Sequence, residues 1–223
     1  MSVRTGMKDA LADLRDGKPI LVHDFDDRED EVDIVYAASE MTHDKVARLR
    51  NDAGGLVCVA VHPDAARALG LGYLEDTLAE AGNGRLVDAE LGYDTRSSFS
   101  TWVNHRSTRT GVTDNDRAKT IRRVADAVET VLAGGAFDFP SEFRAPGHVA
   151  VLRAHDDLLD GRKGHTEMSV ALAEEAGAVP ATVVCEMLDD ETGDAFTLED
   201  AREYADENDL VLLRGEEFAK LTH

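Results

Sequence analysis

Between Asp24 and Asp33 the chain reads Asp-Phe-Asp-Asp-Arg-Glu-Asp-Glu-Val-Asp, seven carboxylates and one arginine in ten residues. Carboxylates crowded this closely repel one another unless a cation joins them, and a divalent metal is the usual one. The run is not an EF-hand. Counted from Asp24, the sixth position is Glu29, where Gly is needed, and the twelfth is Val35, where a bidentate Glu is needed. Solvated surface charge is the bland alternative. The position between two strand-like segments and the embedded Arg28 weigh against it.

A second segment, Arg162-Lys163-Gly164-His165-Thr166-Glu167, combines groups that suit an anion. Gly164 permits a tight turn, and the Thr166 hydroxyl and free N–H groups of a following helix can hold a phosphate. Arg162 adds a planar fork. His165 is placed to ligate a metal, although an ordinary helix cap with a solvated histidine reads the same way. Two further groups stand at strand ends: His148 after Ala145-Pro146-Gly147, where Pro-Gly suggests a turn, and Glu186 after an apolar run. A carboxylate in Glu186's position must be paired or have a raised pKa unless the strand end is solvated. The basic run His105 to Gly111 is either an anion site or a solvated turn.

The elements that must position these groups follow from apolar periodicity and punctuation. Strands are expected at 19–22, 32–36, 55–61, 97–103, 149–152, 179–187 and 210–213. Helices are expected at 8–15, from Thr42 to about Ala53, from Pro63, from Thr113 to about Leu132, at 166–176 and from Thr197. Gly82 to Asp94 reads as a Gly-rich surface loop. The interleaving predicts an α+β (mixed α/β) fold, a single compact domain over 1–223 with a mixed sheet flanked by helices. No dinucleotide glycine fingerprint or P-loop follows any strand.

Composition narrows the function classes. The formal net charge is −21, and Lys supplies only six of the 24 basic residues. Such a surface repels nucleic acid and anionic membranes. No apolar run is long enough for a membrane helix, and the N-terminus lacks a secretory h-region. Cys58 and Cys185 each lie in an apolar run, which fits free buried thiols and a cytoplasmic location. The excess of carboxylates over lysines suits a salt-filled cytoplasm, where screening relieves self-repulsion. The melting temperature is therefore expected to rise from low to molar KCl; an unchanged value would overturn this.

Taken in order, several segments resemble the 3,4-dihydroxy-2-butanone-4-phosphate synthase family of riboflavin biosynthesis. They are the acidic loop with Arg28, Glu29, Glu31 and Asp33; Asp52-Ala53-Gly54-Gly55-Leu56-Val57-Cys58; Ser97-Ser98-Phe99-Ser100; Gly111-Val112-Thr113-Asp114-Asn115-Asp116-Arg117; Phe143-Arg144-Ala145-Pro146-Gly147-His148-Val149; Arg162 to Glu167; and Cys185-Glu186. The set covers nearly the whole chain, in the manner of the stand-alone form.

The resemblance implies a homodimeric lyase with its site near the subunit interface. It would convert D-ribulose 5-phosphate to L-3,4-dihydroxy-2-butanone 4-phosphate and formate, with Mg²⁺ or Mn²⁺ and a pair of ions per site. It makes Glu29 and His165 metal ligands. It places Arg28, Glu29, Asp33, Arg162, Lys163, Gly164, His165, Thr166 and Glu186 around the substrate, and His148 and Glu186 in catalysis. The implied route, an enediol, dehydration and skeletal rearrangement, needs repeated proton transfers. Glu186 and the loop acids Asp24, Glu31 and Asp33 are the candidates to move those protons. Two other readings use the same residues or class: a metal-dependent phosphohydrolase of a small phosphate ester, and a nucleotide- or RNA-binding module, which the charge disfavours.

Overall fold

The computed structural model describes residues 4–25, 28–87, 94 and 96–220. Asp26 and Asp27 of the acidic run, and residues 88–93 of the expected Gly-rich loop, lie outside the described residues.

Seven strands form one mixed sheet in the order β4-β5-β3-β6-β2-β1-β7. They are β1 (Ile20–His23), β2 (Val32–Ala37), β3 (Cys58–Val61), β4 (Phe99–His105), β5 (Phe143–Arg153), β6 (Ala181–Glu186) and β7 (Val211–Arg214). β1 with β7 and β3 with β5 are parallel, and the remaining neighbours are antiparallel.

β1, β2 and β3 are buried along their whole length, because helices cover both faces. On one face Val32, Ile34, Tyr36, Val59 and Val61 pack with Val46 and Leu49 of α2 (His43–Asp52) and with Ile121, Val124 and Val128 of α5 (Asp114–Leu132). On the other, Val35, Ala37 and Ala60 meet Ala10 and Leu14 of α1 (Met7–Arg15) and Met168 and Leu172 of α8 (His165–Glu175). The odd–even split along each strand is the period of two expected of a pleat, and two buried faces explain the unbroken apolar runs.

Helix starts follow the caps read from the sequence. Thr42, Thr113 and Thr197 each accept the backbone N–H three residues on. A threonine cap is worth about 1 kcal/mol. Of the three, only Thr197 with Asp200 completes the reciprocal box, opening α9 (Leu198–Asn208); α3 (Pro63–Ala68), α4 (Leu74–Leu78), α6 (Phe139–Glu142) and α7 (Leu158–Gly161) are short. The Asp116 carboxylate turns instead to Gly111 N–H at 2.9 Å.

Two expectations change. The stretch before residue 88 is largely helical: Leu74–Leu78 is an α-helix, the chain kinks at Gly82 (φ +85°), and Gly84–Leu86 is a 3₁₀ turn. The strand expected at 149–152 begins at Phe143, and the Pro-Gly pair makes no hairpin turn. Residues 145–148 bulge out of β5, for Val103 and Asn104 of β4 pair with Val149 and Arg144 respectively. Ala145–Pro146 is cis.

Candidate active site and metal centre

The site is assembled where strand ends line up. His23 at the end of β1 faces Val32 at the start of β2, so Asp24, Phe25 and the described residues 28–31 stand at that edge between the two strands. Asp33 of β2 faces Glu186, the last residue of β6, and Cys58 opens β3 one strand further along. The N-terminus of α8 arrives from the neighbouring layer. Glu29, Glu31, Asp33, Arg162, His165, Thr166 and Glu186 line a cavity of about 490 Å³ there.

One buried carboxylate shapes the acidic loop. Asp24 is 1% exposed. Its Oδ1 accepts the Glu31 N–H at 3.1 Å, and its Oδ2 accepts the Glu29 N–H at 3.3 Å and Arg28 Nη1 at 3.0 Å. The Asp24 N–H donates to the Glu31 carbonyl, closing the turn. Asp24 therefore fixes the directions in which Glu29 and Glu31 leave the backbone.

His165 is held by its outer nitrogen. Nε2 lies 3.1 Å from the Val22 carbonyl, which can only accept, so Nε2 carries the proton and the Nδ1 lone pair is free for a cation. Nδ1 lies 3.8 Å from both Glu29 Oε2 and Asp33 Oδ1. Among the described residues, Asp24, Glu29 and His165 offer ligand atoms all within 4.8 Å of one another. Ligands of a Mg²⁺-sized ion lie about 2.1 Å from it, so neighbouring and opposite ligand atoms fall roughly 3–4 Å apart. The side chains present fit such an ion.

The acids around His165 are mutually coupled. Burial, with the nearby Glu186 and Glu29 charges, pushes Glu31 up to about 7. Burial raises Asp33 to about 6 against the pull of His165, with Glu186 and Glu29 adding to the rise. Glu186 is raised by burial and by Glu29, again opposed by His165. Groups with pKa values near neutrality both take and give protons, as general acid–base catalysis requires. Cys58 and Cys185 also line the cavity, but burial holds both thiols in the neutral form, Cys185 pushed up to about 12. Neither is a nucleophile at neutral pH.

Two arginines converge beside α8. Arg162 Nη1 donates to Glu167 Oε2 at 2.7 Å, and the fully buried Glu167 also accepts the His155 N–H at 2.9 Å. Arg28 Nη1 donates to Asp24 and to Glu29 Oε2, the latter at 2.6 Å. Gly164, the N-cap of α8, leaves room for both guanidiniums, since a Cβ there would collide with Arg162 and press on Arg28. The carboxylate of Asp94 bridges the pair, accepting from Arg28 Nη2 at 2.9 Å and from Arg162 Nε.

His148 is exposed and is not among the cavity-lining residues. Ala150 pairs with Cys58, so β5 continues past the start of β3 and carries the His148 bulge beyond it. Asn104 grips the bulge: its Oδ1 accepts the His148 N–H at 2.9 Å, and its Nδ2 lies 3.1 Å from His148 Nδ1. Nδ1 also lies 3.3 Å from Asn104 Oδ1, so the one amide holds both the backbone and the ring of His148. Gly147 lies so close to the Val103–Asn104 backbone that no Cβ fits. Gly147→Ala is expected to cost about 2 kcal/mol of stability. Denaturant unfolding measures this; an unchanged midpoint would contradict this account of the bulge.

The family model for 3,4-dihydroxy-2-butanone 4-phosphate synthase matches residues 8–221. The chain belongs to the 3,4-dihydroxy-2-butanone 4-phosphate synthase family. It is 51% identical over 214 residues to the 3,4-dihydroxy-2-butanone 4-phosphate synthase of Archaeoglobus fulgidus, covering 93% of this chain and 90% of that one. The solved Candida albicans synthase superimposes with a TM-score of 0.79 at 29% identity, covering 98% of each chain. A synthase structure in complex with two magnesium ions gives a TM-score of 0.79 at 26% identity, covering 96% of this chain and 94% of that one. This member of the synthase family is a lyase of riboflavin biosynthesis.

Of the residues singled out in the sequence, Glu29, Glu31, Asp33, Arg162, His165, Thr166 and Glu186 share the synthase cavity. Asp24, Arg28 and Gly164 support it through the contacts above. Lys163 is exposed, with its ammonium 5.4 Å from the Phe25 ring centroid, and it does not line the cavity. Sequence reasoning assigned nothing to Asp94, Asn104 or Glu167. Glu167 stood inside a recognised motif, and burial of a charge beside Arg162 was the available signal. Asp94 and Asn104 meet partners far along the chain and carried none.

Proposed function

We propose that the cavity binds D-ribulose 5-phosphate and releases L-3,4-dihydroxy-2-butanone 4-phosphate and formate. The observation that carries this reading is the meeting, in one cavity, of His165 with a free Nδ1, Glu29, the near-neutral acids Asp33 and Glu31, and Arg162 at a helix start. Glu29 and His165 would hold Mg²⁺ or Mn²⁺, with Asp24 within reach and room for a pair of ions. Bound there, the metal supplies Lewis-acid stabilisation of charge on substrate oxygens. Arg162, Thr166 and the first N–H groups of α8 orient the phosphate end. Glu186 and Asp33, on paired strands, and Glu31, on the loop, take the C1 proton and deliver protons to the departing hydroxyl.

Asp24 serves by holding the loop in register. Lys163 adds a positive charge outside the cavity and draws in the anionic substrate. The working unit is a homodimer in which His148 of one copy reaches the cavity of the other. Two features support this: His148 is exposed yet held rigidly, and the apolar side chains of Leu56, Trp102 and Val112 are 50%, 37% and 53% exposed. Among the described residues no helix is long and apolar enough to cross a membrane, and the two free thiols favour the reducing cytoplasm.

Purified protein with ribulose 5-phosphate in molar KCl and Mg²⁺ should release formate, and EDTA should stop it. Inorganic phosphate appearing in place of formate would replace this reading with phosphohydrolysis.

A further inference from the structure

Asp94 stands where an anion belongs. Each guanidinium of the Arg28–Arg162 pair has one arm tied to a buried scaffold carboxylate, Asp24 for Arg28 and Glu167 for Arg162. The remaining arms, Arg28 Nη2 and Arg162 Nε, turn to the same oxygen, Asp94 Oδ2. One oxygen shared by two guanidiniums is the arrangement a phosphate oxygen adopts between arginines. The Asp94 side chain is 8% exposed, whereas its two scaffold counterparts are at 0%. Asp94 comes from the segment leading into β4, more than sixty residues from either arginine. It therefore neutralises the pair without being part of the loop or the helix that carries it.

We propose that Asp94 is an affinity-determining residue, an internal carboxylate that occupies the paired arginines in the free protein and is displaced by the substrate's phosphate. The proposal rests on the reading that Arg162 receives that phosphate, and extends it to Arg28, the other guanidinium on Asp94 Oδ2. Asp24, Glu29 and Glu167 hold one arm of each guanidinium, and Asp94 keeps Arg28 Nη2 and Arg162 Nε aligned on one point until a phosphate oxygen takes its place. The exchange replaces a singly charged carboxylate by a phosphate dianion with more acceptor oxygens. It favours substrates with a terminal phosphate over uncharged sugars and weakens the binding of monoanions.

The test is calorimetric titration of inorganic phosphate into metal-free protein at fixed ionic strength. Asp94→Asn should tighten phosphate binding by about tenfold, equivalent to about 1.4 kcal/mol. The gain should vanish when Arg162→Gln is added. Asp94→Glu should bind as weakly as the unmodified protein. Unchanged or weaker phosphate binding in folded Asp94→Asn overturns the proposal. In the unmodified protein, phosphate should speed amide exchange at Asp94 and Arg96; slower exchange there also overturns it, without relying on any variant. A gain in phosphate affinity with no formate release would keep this assignment and remove the proposed activity. Formate release with no gain in Asp94→Asn would do the opposite.

Discussion

Glu186→Gln is expected to cut formate release by roughly 10²–10⁴-fold, the range for losing a general acid–base group. Gln keeps the volume and the hydrogen-bonding reach of Glu but cannot exchange a proton near neutral pH. Glu186 is the last residue of β6, directly opposite Asp33, and burial with the Glu29 charge raises its pKa. It is not in the Asp24–Glu29–His165 group, so Mg²⁺ affinity should change little. The loss should fall on kcat more than on KM, as expected for an interaction needed in the transition state. Removing one of several like charges should also leave the metal-free protein equally or more stable. Activity above a tenth of the original, in a protein that still binds Mg²⁺, would remove Glu186 from proton transfer.

His148→Ala and His165→Ala should each be nearly inactive, yet mixing them should restore activity. If His148 serves the partner's cavity, a dimer with one copy of each variant contains one site lacking both histidines and one intact site. Random assortment of equal amounts makes half the dimers mixed, so recovery should approach about a quarter of the unmodified rate, by the counting that a two-fold interface imposes. No recovery after denaturation and joint refolding, in material shown to contain mixed dimers, would mean that His148 acts within its own chain or not at all. The same experiment tests the dimer, since monomers cannot complement. His148 is suited to acting across an interface: Asn104 and the glycine-tight bulge hold it rigidly, and it is exposed outside its own chain's cavity.

β1, β2 and β3 were legible because burial on both faces leaves unbroken apolar runs, and α2, α5 and α9 because threonines mark their starts. The seven cavity residues were legible because they sit in two short segments and at one strand end, where local composition is anomalous. The Pro146-Gly147 pair was misread as a turn because the bulge depends on β4, whose Val103 and Asn104 lie over forty residues away. The helical turns on either side of Gly82 were missed because glycine spoke against them; Gly82 itself leaves the helical region, with φ +85°, and makes a kink there. Asp94 was invisible for a related reason. Its meaning lies in two arginines brought together by separate elements, and pairwise chemistry between distant positions leaves no mark in a local window.

Arg162, Gly164, His165 and Thr166 fall within five consecutive residues at the start of α8. On the proposed assignment the cation ligand His165 and the phosphate-orienting Thr166 are neighbours on one helix, at a rise of about 1.5 Å per residue, with Arg162 in the extended stretch just before it. Loops and a neighbouring copy can bring further groups to the substrate, but they cannot alter that spacing. The helix works as a ruler. The number of carbons between phosphate and metal-facing oxygens is read by backbone register, while the configuration of each hydroxyl is left to the side chains around it. A family member with a different preferred sugar length would have to move α8, because no exchange of cavity side chains would recalibrate the distance.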